Sequence, residues 1–385
     1  MKIVSLVGAR PNFMKIAPFI RAIEKHNNNN YNKINHILVH TGQHYDIRMS
    51  KTFFDELSIP EPDINLEIGS GTHAEQVGKT MIEFEKVIWQ TNPDIIVVVG
   101  DVNAILAGAI TAKKEKKILA HIEAGLRSFD LTMPEEINRI VADRLSDILF
   151  TPDKIANKNL LNEGVSPEKI HFVGNIMIDT LLKEKNKAQI LEINDIIKRN
   201  FLKNIQEKEI KIQERGFVLM TLHRPSNVDN KNVLERIINF ISIDIASYIP
   251  VVFPIHPRTF QNLIKFGLLK IVEKHPQFIL LEPLGYHDML RLNMSARAVL
   301  TDSGGLQEEC TVLGIPCFTL RNNTERPVTL KENGGVSILV GNNLEKIKNE
   351  LFSLTDESFK PYLPELWDGN TAERIVKVLT NFSNP

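Results

Sequence analysis

The chain has 385 residues, 43% apolar and 24% charged, with 46 Lys and Arg against 47 Asp and Glu. That length predicts two domains, and the composition is that of an ordinary globular protein. The near-zero net charge argues against a nucleic-acid or membrane-surface binder, and no apolar stretch approaches the roughly 20 residues of a membrane span.

The N-terminal run Met1–Gly8 is too short for a signal-peptide core and soon meets Arg10. It predicts a buried first strand and a cytoplasmic location. Further strands are predicted at Ile34–His40, Ile95–Val99, Ile118–Ile122, Ile148–Thr151 and His171–Val173. A second series follows at Phe217–Leu222, Val251–Ile255, Phe278–Leu281, Ala298–Thr301, Cys317–Leu320 and Ser337–Val340. Most are too apolar to alternate, as expected of parallel strands covered on both faces. Amphipathic stretches such as Met14–Lys25, Ala104–Lys113 and Pro134–Arg144 lie between them. The βαβα order predicts an α/β fold of two doubly wound, Rossmann-like domains facing a cleft. The expected boundaries are 1–177 with a C-terminal helix in 361–385, and 178–360.

Between the two series, Lys183–Arg215 is rich in Lys, Glu, Asn and Ile and reads as surface helix and connector. Asn27–Asn30 reads as a polar loop tip, and Asn370–Thr380 as a capped amphipathic helix. Cys310 and Cys317 are expected to be reduced and buried.

Ligands bind doubly wound sheets at the carboxyl ends of the strands, so the loops there carry the functional reading. Asp302-Ser303-Gly304-Gly305-Leu306-Gln307-Glu308-Glu309 joins a strand to a helix. Its small residues uncover backbone N–H groups at a helix N-terminus, a place to hold a diphosphate. Gln307, Glu308 and Glu309 would put polar groups near whatever the phosphates carry. Gly8–Lys15 follows the first strand, with Arg10 and Lys15 able to reach an anion; solvated basic residues on a plain turn are the bland alternative.

Asp101 after Ile95–Val99 reads as a helix N-cap or a catalytic carboxylate. Glu123 ends a buried strand, where an unpaired charge is costly, so an ion pair with Arg127 is its structural reading. Glu135 opens a helix, where acid is favourable in any case. Together Asp101, Glu123 and Glu135 put three carboxylates on one sheet edge, an arrangement that pushes pKa values apart and suits acid/base work. His223 reads as a candidate acid or base, Arg224 could hold a phosphate, His256 reads as a ligand contact or a satisfied loop histidine, and Arg326 follows another strand.

Two partial motifs are dismissed. Gly69–Ala74 fits G-x-G-x-x-A but does not lie in the first βα turn, and Gly78-Lys79-Thr80 lacks the first P-loop glycine, position 73 being His73. No Cys/His or H-E-x-x-H spacing points to a metal.

Gly8–Lys15, Gly100-Asp101, His121–Arg127, Pro134–Arg139, His223-Arg224, Asp302–Glu309 and Thr324–Pro327, in that order, resemble the non-hydrolysing UDP-N-acetylglucosamine 2-epimerases over nearly the whole chain. The resemblance implies the two-domain glycosyltransferase-B architecture, with the last helix crossing back onto the first domain. It implies interconversion of UDP-GlcNAc and UDP-ManNAc for polysaccharide biosynthesis, by elimination of UDP to 2-acetamidoglucal and re-addition, with no metal, NAD or other cofactor. Asp101, Glu123, Glu135 and His223 are then the acid/base set. Arg10, His223, Ser303 and Gly304, with Gly305 in the same turn, match positions that hold UDP; Lys15, Glu309 and Arg326 match positions contacting sugar or phosphate. A UDP-sugar substrate and a homodimer are the implied partners, with no nucleic acid or membrane.

The chain departs from many bacterial members, which carry Gly-His-Arg-Arg-Glu where it has Leu222-His223-Arg224-Pro225-Ser226. Their second, activating UDP-GlcNAc site uses a glutamine-rich motif; here that region reads Glu67–His73, with Gln43 and His44 kept. Alternatives are a modified sugar such as UDP-2,3-diacetamido-glucuronate, the hydrolysing branch, or a glycosyltransferase. Arg10–Lys15 speaks against the hydrolysing branch, and three acidic residues are more than transfer requires.

Overall fold

The apolar runs form two sheets in which every recorded pairing of neighbouring strands is parallel. In the computed structural model, which describes residues 1–8, 10–42, 55–202, 211–341 and 343–382, the chain divides into two compact units. Met1–Lys183 with Pro364–Pro385 forms one, and Glu184–Leu363 the other.

The first unit contains β1 (Lys2–Val7), β2 (Asn35–His40), β3 (Ile64–Asn65), β4 (Ile95–Val99), β5 (Ile118–Ile122), β6 (Ile148–Thr151) and β7 (Ile170–Phe172), in the order β3-β2-β1-β4-β5-β6-β7. The second contains β8 (Val218–Thr221), β9 (Val251–Pro254), β10 (Phe278–Leu281), β11 (Ala298–Thr301), β12 (Cys317–Thr319) and β13 (Ser337–Leu339), in the order β10-β9-β8-β11-β12-β13. Both are doubly wound. In each, the strand order reverses between the first and fourth strands, β1 beside β4 and β8 beside β11. Carboxyl-end loops diverge at such a switch point and leave a crevice for ligand.

β4 is buried throughout, and its β-branched residues suit a strand covered on both faces. The helix Asn103–Lys114 packs close to the sheet through small residues: a Cβ at Gly108 would lie 2.8 Å from Leu6 and 3.0 Å from Val98. The final helix, Thr371–Phe382, packs on Arg10–Asn29 of the first unit. Its cap comes from a distance. Asp179 accepts the N–H groups of Thr371 and Ala372 at 3.1 and 2.8 Å. The buried Trp367 indole donates to the Pro152 carbonyl at 2.9 Å and fixes the approach to that helix.

Several expectations are corrected. The first helix begins at Arg10 rather than Met14, with Pro11 in the first turn where its missing N–H costs nothing. Asn27–Asn29 belong to that helix, and the Asn27 amide brackets Ile34, donating to its carbonyl and accepting its N–H. The Lys183–Arg215 stretch is not only surface: Ile193, Ile196 and Ile197 are buried against Phe217, Leu219 and Ile279. Its residues 203–210 lie outside the described ones. The two-residue strand β3 was too short to read. Cys310 and Cys317 are buried free thiols. Among the described residues, no helix is long and apolar enough to cross a membrane.

Candidate active site

At the β1/β4 switch point, Asn12 ties the two strand ends together. It accepts the Gly8 N–H at 3.0 Å and donates to the Val99 carbonyl at 2.7 Å. Three residues along the same helix, Lys15 is buried and ion-paired with the buried Glu123. Glu123 sits in the left-handed region at φ 76°, rare for a residue with a side chain and characteristic of strained functional positions. Gly100, at φ 80°, leaves room for this pair: a Cβ there would lie 3.0 Å from Lys15 Nζ. Glu123 is thus paired with Lys15 and not with Arg127, the partner its structural reading offered. Arg127 instead reaches Asp143 at 2.7 Å and Glu163 at 2.7 Å.

Asp101 does not cap the following helix, whose N-cap is Val102. Its carboxylate accepts from Arg139 Nη1 at 2.5 Å, and its carbonyl accepts from Asn138 Nδ2 at 2.9 Å. The preceding Gly100 carbonyl faces His121 Nε2 at 2.8 Å, while His121 Nδ1 lies 2.6 Å from Asp143. β4 and β5 are in register from Ile95 to Val99, so Asp101 and Glu123 leave neighbouring strands at similar heights. Glu135, half-buried, lies in the first turn of the helix Pro134–Leu145 that also carries Asn138 and Arg139. Burial opposes ionisation of its neighbour Glu136. The Ser128 N–H and the Arg139 guanidinium outweigh that and hold its carboxyl below the usual range.

At the β8/β11 switch point the anchor is Asp302, fully buried. It accepts the N–H groups of His223 at 3.1 Å and Arg224 at 2.9 Å, and the Asn227 amide at 3.0 Å. His223 Nδ1 lies 3.0 Å from the same carboxylate. Ser303 is the N-cap of the helix Gly304–Leu313 with no side-chain capping bond. The first-turn N–H groups there suit an anion. A Cβ at Gly304 would run into the Arg326 guanidinium and lie 2.7 Å from Glu325. Arg326 is buried between Glu308, at 2.9 Å, and Glu325.

The family model described as UDP-N-acetylglucosamine 2-epimerase matches residues 26–380. The chain belongs to the non-hydrolysing UDP-N-acetylglucosamine 2-epimerase family. It is 44% identical to the UDP-N-acetylglucosamine 2-epimerase of Methanocaldococcus jannaschii over 99% of each chain. The crystal structure of that organism's enzyme with UDP-GlcNAc and UDP aligns with a TM-score of 0.85 at 42% identity, covering 99% of this chain and 100% of that one. A Pseudomonas aeruginosa UDP-2,3-diacetamido-2,3-dideoxy-D-glucuronate 2-epimerase is 40% identical over 89% of this chain and 88% of its own length.

The remaining epimerase candidates fall as follows. Arg10 opens the first helix with its side chain outside the described residues, as are Gln43 and His44 entirely. His256 is the N-cap of the helix Pro257–Phe266, and its ring centroid lies 5.6 Å from that of His223. Gly305 is half-buried beside Gly304. Gln307 and Glu308 are buried: Gln307 accepts from Thr324 at 2.9 Å, and Glu308 pairs with Arg326. The dismissed Gly69–Ala74 stretch is structural. Thr72 and Glu75 form a reciprocal capping box there.

Glu309 is buried, accepting from the Tyr286 hydroxyl at 3.1 Å and the Asn293 amide at 3.3 Å. Burial pushes its carboxyl up to about 7, against those two hydrogen bonds. A folded-state value above the unfolded one gives stability that is full below the unfolded value of 4.5 and lost as pH rises through about 7. The ligand-free thermal midpoint is therefore expected to drop between pH 5 and pH 8, by the equivalent of at most roughly 3 kcal/mol. Glu309→Gln should flatten that drop in a calorimetric pH series; an unchanged slope would place the titration elsewhere.

His121 and Arg139 stand in the sequence motifs without an assigned role, and Asp143 escaped the sequence reading. The i, i+3 spacing of Glu136 and Arg139 on one helix was the available signal for Arg139. For His121 with Asp143, 22 residues apart, there was none.

Proposed function

We propose that this protein interconverts UDP-GlcNAc and UDP-ManNAc by non-hydrolysing inversion at sugar C2. The carrying observation is the buried, left-handed Glu123 paired with Lys15 beside the Gly100-Asp101 turn at the first sheet's switch point. The C2 proton is weakly acidic, so direct exchange is slow. Elimination avoids this: a base takes the C2 proton, the C1–O bond breaks with its electron pair leaving on UDP, and 2-acetamidoglucal forms. Protonation on the opposite face of C2 and re-addition of UDP at C1 complete the inversion.

Asp101, Glu123, Glu135 and His223 form the acid/base set. His223, Ser303, Gly304 and Gly305 bind UDP together with Arg10. Lys15, His256, Glu309 and Arg326 contact sugar, nucleotide or phosphate. A homodimer and a cytoplasmic location belong to the same reading.

The Pseudomonas aeruginosa relative supports a second substrate, a 2,3-diacetamido uronate carried by UDP. Proton NMR with UDP-GlcNAc in D2O decides between them. The expected product is a UDP-GlcNAc/UDP-ManNAc mixture carrying deuterium at C2. Free ManNAc with UDP would mean hydrolysis, and turnover of the uronate but not of UDP-GlcNAc would move the assignment to the second substrate.

A further inference from the structure

We propose that Arg139 and Glu136 are positioning residues of the epimerase reaction, holding the Asp101 carboxylate and tying it to the Ser128–Phe129 backbone through the helix Pro134–Leu145. This deepens the reading above and rests on Asp101 belonging to the acid/base set.

A buried guanidinium must be well paired to be tolerated. The Arg139 side chain is 1% exposed, and Glu136, equally buried, takes both Nε at 3.0 Å and Nη2 at 2.5 Å. That carboxylate already balances the charge. The third nitrogen, Nη1, is nevertheless directed at Asp101, 2.5 Å away and 22% exposed. The Asp101 carbonyl is held separately by Asn138 on the same helix. With the Gly100 carbonyl held by His121, the Gly100-Asp101 turn is clamped at three successive polar groups by buried side chains.

Glu136 extends the clamp. Its carboxylate also accepts the N–H groups of Ser128 at 3.0 Å and Phe129 at 2.8 Å. Phe129 is held at φ 58° with an exposed ring, a conformation that persists only where surroundings impose it. One helix therefore fixes both the carboxylate and the chain segment that leads into Pro134-Glu135. Bidentate recognition is what Arg does and Lys cannot, so Arg139→Lys should keep the charge and lose the geometry.

The test compares wild type, Arg139→Lys, Arg139→Gln, Glu136→Gln, Asp101→Asn and the Asp101→Asn/Arg139→Lys double variant, following UDP-GlcNAc turnover and UDP binding by calorimetry. Wild-type turnover is measured first, and its absence refutes the epimerase reading rather than the clamp. Given turnover, Arg139→Lys should lower kcat about 10²-fold, as expected for a catalytic group misplaced by roughly 1 Å. UDP affinity should stay within about twofold, since ground-state nucleotide binding does not use the clamp. Arg139→Gln should be slower than Arg139→Lys, and Glu136→Gln should show the same kcat-only defect without altering Arg139 itself. The double variant should be no slower than Asp101→Asn alone, because the arginine acts through the aspartate. Multiplying losses in the double variant, equal falls in kcat and UDP affinity, or an unchanged kcat in Arg139→Lys would each overturn the assignment.

Discussion

Glu123→Gln should lower turnover by about 10³-fold, within the range expected for removing a general acid or base. UDP affinity should remain close to that of the wild type. The substitution keeps shape and one acceptor oxygen for Lys15, so the pair loses charge rather than contact. The wild-type pair is almost wholly out of water, and two buried opposite charges offset much of each other's desolvation. The amide leaves the Lys15 ammonium without that offset, so some stability is lost as well. A denaturation midpoint taken beside the kinetics separates the two effects. If the acid/base reading is right, deuterium incorporation at C2 disappears with turnover while calorimetric UDP binding persists. Parallel loss of UDP binding and folding would make Glu123 a structural residue, its left-handed backbone a feature of packing alone.

The difference between what was legible in the sequence and what was not follows the range of each interaction. Val, Ile and Leu runs bounded by polar loops mark parallel strands because covering both faces demands apolar residues at every position. Candidate loops were legible for the same reason: once the strands are placed, the residues following β1, β4, β5, β8 and β11 must lie at the carboxyl edges. Asp101, Glu123 and Ser303 came from that rule. Their partners did not. Lys15 and Glu123 are 108 residues apart, Arg139 and Asp101 are 38 apart, and Asp179 caps a helix 192 residues away. Local spacing carries no trace of such pairs. The direction Arg127 takes has a local cause. Glu123 and Gly125 both adopt positive φ, and the turn they make directs Arg127 to Asp143 instead of back to its sequence neighbour.

The second large effect is expected at Asp302. Asp302→Ala should destabilise the protein by on the order of 3–5 kcal/mol, the cost of leaving a buried charged network without its acceptor. Four groups lose this partner together: the His223 and Arg224 N–H groups, the His223 ring, and the Asn227 amide, which keeps only the Leu320 carbonyl. Asp302→Asn is the sharper probe because its volume is nearly unchanged. It turns one acceptor into an NH2 group facing donors, so it should cost more than half as much as the alanine. Burial opposes ionisation of Asp302, but His223, Asn227 and the Arg224 N–H outweigh it and hold the carboxyl below its usual value. A depressed folded-state value gives stability that is present above the unfolded pKa of 3.8 and lost as pH falls through the folded value. Wild type should therefore lose stability on acidification below pH 4, and Asp302→Asn should lose less over the same range. Both variants should weaken UDP binding, because the backbone that orients His223 and the β11 end both depend on this carboxylate. Urea unfolding at pH 7 and pH 3.5, run beside UDP titration at pH 7, measures the two consequences separately. A variant that unfolds at the wild-type urea concentration yet binds no UDP would assign Asp302 to the ligand alone, and the anchoring role described for it would have to be abandoned.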